Sequence, residues 1–95
     1  MPTYVIVDLD VDELSALDEY RRQAVPLLPR YGGRPIIRFG ATEVLEGDWI
    51  PKRLIGLEFA DMEAVKRWWE SDDYRPLKLL RQRCSKANVV AVNGL

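Results

Sequence analysis

Two glycine-containing segments in the middle of the chain constrain its fold more than any other feature. They are Tyr31 to Arg34, with the sequence YGGR, and Val44 to Trp49, with the sequence VLEGDW. Glycines next to apolar segments mark turns, because glycine adopts backbone angles that other residues avoid. The two segments therefore place a long hairpin inside the order strand, helix, strand, strand, helix, strand.

The first third of the chain predicts a strand followed by an amphipathic helix. Thr3 to Asp10 is rich in β-branched residues, and both faces of this strand are mostly apolar, so both need a cover. Asp12 is the predicted N-cap of the helix. The apolar residues of the helix recur at steps of three and four: Leu14, Leu17, Tyr20, Ala24 and Leu27. Pro26 predicts that the helix kinks or ends near Val25, because proline lacks a backbone N–H.

The first arm of the hairpin follows Gly32 and Gly33, which are both expected to adopt positive φ angles. The second strand runs from Arg34 to Phe39. Gly40 is expected to allow a β-bulge, after which Glu43 to Glu46 resumes extended structure. This arm is therefore predicted to be long and interrupted.

The second arm follows a turn at Gly47-Asp48 and runs from Arg53 to Phe59. Asp61 is the predicted N-cap of the next helix, which Ser71 to Asp73 interrupts. The apolar residues before and after that interruption are Met62, Val65, Trp68, Trp69, Tyr74, Leu77, Leu80 and Cys84. Ala87 to Val92 is the predicted last strand.

Two βαβ-like halves with right-handed crossovers predict an α+β fold of the ferredoxin-like βαββαβ type, in one domain over residues 1–95. Its four-stranded antiparallel sheet carries the helices on one face. The other face would then expose apolar residues such as Ile6, Leu54 and either Val90 or Val92. We therefore expect a second copy to cover that face, sheet against sheet, in a homodimer.

The composition is that of one globular domain. The chain has 95 residues, of which 47% are hydrophobic and 31% are charged, and it is too short for two ordinary domains. Fourteen basic and fifteen acidic residues leave a formal charge of -1, so no net field attracts a nucleic-acid backbone or an anionic membrane. We expect neither as a partner.

The cysteine content and the N-terminal segment predict a cytoplasmic protein. The single Cys84 has no intramolecular disulfide partner, which fits a reducing compartment. Met1 to Tyr4 enters the strand pattern at once, with none of the features of a signal peptide. No apolar run approaches the roughly 20 residues that a membrane span requires.

Short motifs spread over nearly the whole chain resemble one known family. They are Val25-Pro26, Tyr31-Gly32-Gly33-Arg34, Val44-Leu45-Glu46-Gly47-Asp48-Trp49, Pro51, Leu57-Glu58-Phe59, Trp68-Trp69-Glu70-Ser71, Tyr74 and Arg81. Their order and spacing are similar to those of the domain of unknown function 1330 family (DUF1330), in the dimeric α/β-barrel superfamily. Two residues depart from that pattern, since Pro35 and Phe39 stand where an aromatic residue and a glycine are common.

The resemblance implies a ferredoxin-like dimer. Relatives in the wider superfamily include cofactor-free monooxygenases, muconolactone-isomerase-like enzymes and small stress-responsive proteins. The family carries no reaction that the resemblance would transfer to this chain, and one fold hosts many activities.

Few residues are suited to acid-base chemistry, because the chain has no histidine and no metal-ligand or phosphate-binding motif. We expect no cofactor and no metal. Glu58 lies in an otherwise apolar strand, with Asp8 expected on the neighbouring strand and Arg38 within reach, so these three are the candidate catalytic residues. A structural ion pair across the sheet is the alternative, and it is favoured, since buried ionic groups also occur for structural reasons.

Aromatic residues at turns and helix starts are the candidate ligand contacts: Tyr31, Trp49 and Tyr74. Their rings combine apolar contact with a hydrogen-bonding edge. Trp69 and Tyr20 lie on helical stripes and are assigned to the core.

Three residues near the end of the last helix are assigned structural roles. Arg81 and Arg83 would either capture an anion or lie on a solvated helix face, and the solvated face is favoured. Cys84 lies on the apolar stripe, so we expect a buried, unreactive thiol.

Three functions fit these observations. The first is a cofactor-free enzyme that acts on a small organic acid or aromatic compound through Glu58 and Arg38. The second is a dimer that binds a small molecule without transforming it. The third is a structural or stress-related accessory dimer that needs no pocket. A dimer that handles a small organic molecule is the interpretation we carry forward, and catalysis stays open.

Overall fold

The structure is a computed structural model that describes residues 1–95. Its strands are β1 (Thr3–Val11), β2 (Gly33–Arg38), β3 (Leu54–Phe59) and β4 (Ser85–Asn93). Its helices are α1 (Leu14–Leu27), α2 (Met62–Trp69) and α3 (Arg75–Cys84), and a 3-10 turn, Leu28–Tyr31, follows α1.

The four strands form one antiparallel sheet in the order β2-β3-β1-β4. The predicted element order and the predicted pairing of the first strand with the third, and of the third with the second, are confirmed. Val5, Leu9 and Phe59 point towards the helices and are each 1% exposed. Burial of this face against the helices supplies the core, because apolar side chains leave water there.

Local sequence chemistry sets the helix ends, with one exception. Asp61 caps α2 as predicted, since its Oδ1 accepts a hydrogen bond of 2.8 Å from the backbone N–H of Ala64. The prediction for Asp12 is wrong. The cap position of α1 is Glu13, which makes no side-chain cap bond, while the N–H groups of both residues donate to the carbonyl of Cys84. Helix α1 ends at Leu27, near the expected point.

Gly32 and Gly33, which precede the hairpin, are required for different reasons. Gly32 has a φ of 78°, as predicted, whereas Gly33 does not adopt a positive φ. A glycine is required at position 33 because the ring of Phe59 leaves no room for a side chain: a Cβ atom there would lie 2.6 Å from Cε2 of Phe59. The prediction of positive φ is therefore right for Gly32 and wrong for Gly33.

The long loop between β2 and β3 also differs from prediction. No strand forms over Glu43 to Glu46, and residues 41–50 are all exposed. The bulge expected at Gly40 lies between Pro35 and Ile37, where proline has no N–H for the strand ladder. Gly47 has the positive φ of a turn residue, 96°.

We call the sheet surface opposite the helices the open face; it carries Tyr4, Ile6, Asp8, Leu54, Glu58, Val90 and Val92. Val90 lies opposite Ile6 and Val92 opposite Tyr4, so both candidate valines belong to it. They are 58% and 50% exposed in the single chain. The predicted apolar second face is confirmed. None of the helices has the length and apolar character to cross a membrane.

Candidate functional site

A cavity of about 640 Å³ lies between the helices and the sheet. Fourteen of its twenty lining residues are hydrophobic, among them Leu17 on α1, Leu57 on β3 and Trp68 on α2. Its size and apolar lining are typical of sites that bind small organic molecules. We call it the helix-side cavity.

Two tyrosines form a polar group in the wall of the helix-side cavity. Tyr20 comes from α1 and Tyr74 from the residue before α3, and their hydroxyl oxygens lie 2.8 Å apart in a hydrogen bond. Burial, together with the neighbouring Tyr74, raises the pKa of Tyr20 far above its ordinary value, although Arg81 acts in the opposite direction. Tyr20 is therefore a neutral hydroxyl at physiological pH.

Arg81 is buried in the wall of the same cavity, with only 5% of its surface exposed. It shares the inward face of α3 with the buried Leu77 and Cys84, one helical turn to either side. Its guanidinium carbon lies 5.9 Å from the ring centre of Trp69, and it takes part in none of the ion pairs of the structure. The prediction of a solvated face is wrong for Arg81 and right for Arg83, which is exposed.

Trp68 adds an unpaired donor to this region. It is 3% exposed and lines the cavity, and its buried Nε1 has no hydrogen-bond partner. Its ring packs on Tyr74 with the ring centres 4.3 Å apart. A buried N–H without a partner is rare, since it loses its bond to water without replacement. We call Tyr20, Tyr74, Arg81 and Trp68 the donor cluster.

Two arginines lie over the ring of Phe39, which is part of the cavity wall near the hairpin. The guanidinium carbons of Arg21 and Arg53 lie 5.0 Å and 5.4 Å from the ring centre of Phe39. Phe39 has a φ of 52°, an unusual value for a non-glycine residue. Arg38 also lines the cavity.

The predicted cluster of Glu58, Arg38 and Asp8 does not form. Glu58 pairs with Arg34, whose Nε and Nη2 lie 2.8 Å and 2.6 Å from Glu58 Oε1. The bulge explains the difference: it shifts Arg38 opposite Ile55, on the helix side of the sheet, whereas a regular strand would place it opposite Leu54 on the open face.

Both carboxylates remain on the open face with partners that hold them ionised. The hydrogen bond from Arg34 lowers the pKa of Glu58 below its usual value. The pKa of Asp8 is lowered by the hydrogen bond from Trp49 Nε1, at 2.8 Å, and by the backbone N–H of Lys52, at 2.9 Å. Glu58 therefore makes the cross-strand ion pair that the alternative interpretation expected, although with a different arginine.

Of the three predicted ligand contacts, only Tyr74 lines the helix-side cavity. The indole N–H of Trp49 donates a hydrogen bond to Asp8 instead. The hydroxyl of Tyr31 donates to Asp73 Oδ2 at 2.9 Å.

Sequence reasoning weighed Arg81 as an anion contact but favoured a solvated face, and it placed Tyr20 in the core. Position 81 lies four residues after Leu77 and three before Cys84, so the helical period alone places it on the buried face. Cys84 is buried as expected, with Sγ 3.6 Å from the carbonyl oxygen of Arg81. No three His, Cys, Asp or Glu side chains converge as a metal site would require.

The family resemblance is confirmed by comparison. The model of the family described as a domain of unknown function (DUF1330) matches residues 2–95, so the chain belongs to that family. No functionally curated protein matches the chain.

Several solved structures share the fold. A protein of unknown function from Rhodopseudomonas palustris is 17% identical, with a TM-score of 0.80 over 99% of this chain and 82% of its own. A dimeric ferredoxin-like protein of unknown function from Jannaschia sp. is 17% identical, with a TM-score of 0.72 over 99% and 100%. SnoaB, a cofactor-independent oxygenase from Streptomyces nogalater, is 11% identical, with a TM-score of 0.66 over 99% and 92%. At these identities the likeness establishes the ferredoxin-like fold.

Proposed function

We propose that this member of the DUF1330 family is a homodimer that binds a small organic molecule, without a cofactor, in the helix-side cavity of each subunit. The observation that carries the proposal is the cavity itself. About 640 Å³ of mostly apolar space has a buried group of polar side chains around Tyr20 and Tyr74, and a few charged side chains elsewhere in its lining. Such a combination binds the body of a ligand by apolar contact and orients it by a few hydrogen bonds.

The dimer is supported by the exposed apolar residues of the open face. Ile37 belongs to this face, because it lies opposite Gly56, and Gly56 lies opposite Ile6. It would leave water together with Val90 and Val92 if a second sheet packed there. A specific interface buries about 800 Å² per partner, and a four-stranded sheet offers a surface of that order. The structural neighbour from Jannaschia sp. is described as dimeric, which agrees with this assembly.

The proposed site differs from the one expected from the sequence. Arg38 remains as part of the cavity wall, whereas Glu58 and Asp8 lie on the opposite face of the sheet and belong to the proposed interface. The proton-transfer role of Glu58 is therefore not part of the proposal. If the ligand is transformed, Tyr20 and Tyr74 are the groups placed to hold a proton next to it.

A thermal-shift screen tests the proposal. The panel contains neutral, anionic and cationic aromatic compounds of one to three rings. A true ligand at 100 times its Kd raises the free energy of unfolding by about 2.7 kcal/mol. Tyr74→Phe removes a cavity hydroxyl and should weaken this stabilisation, whereas Trp49→Phe, at an exposed tryptophan outside the cavity, should leave it unchanged.

Two results decide between binding and the accessory-dimer alternative. Stabilisation by a compound, with a change in the NMR signal of the Trp68 indole N–H, supports the cavity. A folded dimer that no member of the panel stabilises contradicts the proposed function and favours a dimer that needs no ligand.

A further inference from the structure

The donor cluster contains donors without matching acceptors. Tyr20 and Tyr74 share one hydrogen bond between two hydroxyls, which leaves one O–H proton free. The indole N–H of Trp68 has no partner. The guanidinium of Arg81 carries five N–H donors and accepts nothing. A ligand group that satisfies this cluster must therefore accept several hydrogen bonds.

The charge of Arg81 is also unmatched within the chain. A buried guanidinium is normally paired with a carboxylate, because removing a lone charge from water is unfavourable. Arg81 has no such partner: the groups that favour its positive charge are the neutral hydroxyl of Tyr20, the ring of Trp69 and the carboxyl-terminal end of α3. A negatively charged ligand group would supply the missing partner.

The cavity is positive although the chain is not. Its lining includes four arginines and one aspartate. Arg21 pairs with this aspartate and Arg22 pairs with Glu19, so Arg38 and Arg81 leave two unpaired positive charges, whereas the whole chain has a formal charge of -1. The arginines and the aspartate are Arg21, Arg22, Arg38, Arg81 and Asp18. Charge of one sign in an apolar cleft raises the local concentration of ligands of the opposite sign.

Aromatic rings line the space next to the donor cluster. The ring centres of Trp68 and Trp69 lie 5.9 Å apart, and those of Trp69 and Tyr74 also lie 5.9 Å apart. These rings therefore pack on one another, and together they give the cavity an aromatic wall against which a flat, apolar ligand body can lie.

Resting on the proposed function of the cavity, we infer that its ligand is an aromatic carboxylate. Its carboxylate accepts hydrogen bonds from Arg81 and from the neighbouring donors of the cluster, and its ring system lies against the tryptophans. Arg38, an exposed arginine of the cavity lining without an ion-pair partner, attracts it, and Arg81 decides between the acid and its neutral analogues.

Calorimetric titration with a matched pair of probes tests the inference. The probes are 2-naphthoate and 2-naphthamide, which have nearly the same shape and differ in charge. A hydrogen bond to a charged group changes affinity by about 10- to 100-fold. The wild-type dimer should therefore bind 2-naphthoate at least about tenfold more tightly than 2-naphthamide, and this comparison needs no variant.

Two variants assign the effect to its residue. Arg81→Met should weaken 2-naphthoate binding by about 10- to 100-fold and leave 2-naphthamide binding nearly unchanged. Arg83→Met, an exposed arginine on the same helix, is the matched control and should change neither. Trp68→Phe, which removes the N–H and keeps an aromatic ring, should weaken 2-naphthoate binding by a smaller factor.

The outcomes separate this inference from the proposed function. If 2-naphthamide binds as well as the acid, or if Arg81→Met folds and binds 2-naphthoate normally, the inference is overturned while the cavity function stands. If neither probe binds, the inference is also overturned, and the neutral and cationic compounds of the wider screen then decide the cavity function separately.

Discussion

Replacing Val90 with aspartate places a carboxylate in the open face that we propose as the dimer interface. Val90 lies on β4 directly opposite Ile6 of the central strand β1, and it is 58% exposed in the single chain. An isologous interface contains the same residue from both subunits, so one substitution changes the interface twice.

The expected effect follows from this exposure. Full burial of a valine side chain contributes about 1.5 kcal/mol or more, so burial of the exposed part contributes about 1 kcal/mol per subunit and about 2 kcal/mol per dimer. Two carboxylates removed from water each oppose association by at least about 1 kcal/mol more. The sum, about 4 kcal/mol, corresponds to a dimer Kd that is about 1000-fold weaker.

Sedimentation equilibrium over a range of micromolar concentrations measures the effect. The wild-type chain should sediment as a dimer, and Val90→Asp should sediment as a monomer or unfold. Leu79→Asp is the matched control, because Leu79 is 48% exposed on α3, in the layer on the other face of the sheet. This control should leave the dimer intact.

Two results would refute the sheet-to-sheet dimer. A wild-type chain that stays a compact monomer at every concentration shows that the open face is not an interface. A Val90→Asp chain that dimerises as tightly as the wild type shows that the interface lies elsewhere.

Three further predictions follow from individual contacts. Gly33→Ala should lower the free energy of unfolding in urea by about 1–3 kcal/mol, because the new methyl group overlaps the ring of Phe59. Cys84 should react slowly with a thiol reagent in the native protein and quickly in urea, because it is buried. The hydrogen bond from Trp49 to Asp8 should be complete above pH 3.8 and be lost as the pH falls through the lowered pKa of Asp8. Tryptophan fluorescence measures this loss, and the part of the signal that is absent in a Trp49→Phe variant belongs to Trp49.

Each of these predictions has a control. Gly40→Ala adds a methyl group that meets no atom within 4 Å, and an equal loss of stability there would contradict the steric reason given for Gly33. Cys84→Ser should keep ligand binding, so its loss would give the thiol a role in the site. An Asp8→Asn chain that keeps the same fluorescence change at low pH would show that another group titrates.

The local sequence was sufficient for the order of the elements and for several of their ends. Alternation in Thr3–Val11, the cap at Asp61 and the positive φ of Gly32 each depend on neighbouring residues only. The apolar residues on both faces of the strands also predicted the open face. These features are short-range, so a pattern of residues is enough to specify them.

The candidate site depends on relations that no short pattern contains. One extra residue between Pro35 and Ile37 moved Arg38 to the helix side and left Glu58 to pair with Arg34, because a strand changes face with each residue. The burial of Arg81 follows from helical spacing, but its lack of a carboxylate partner appears only when all elements are packed together. The sequence by itself determined the fold, and the tertiary structure decided which polar groups meet, because electrostatic pairing depends on distances between residues far apart in the chain.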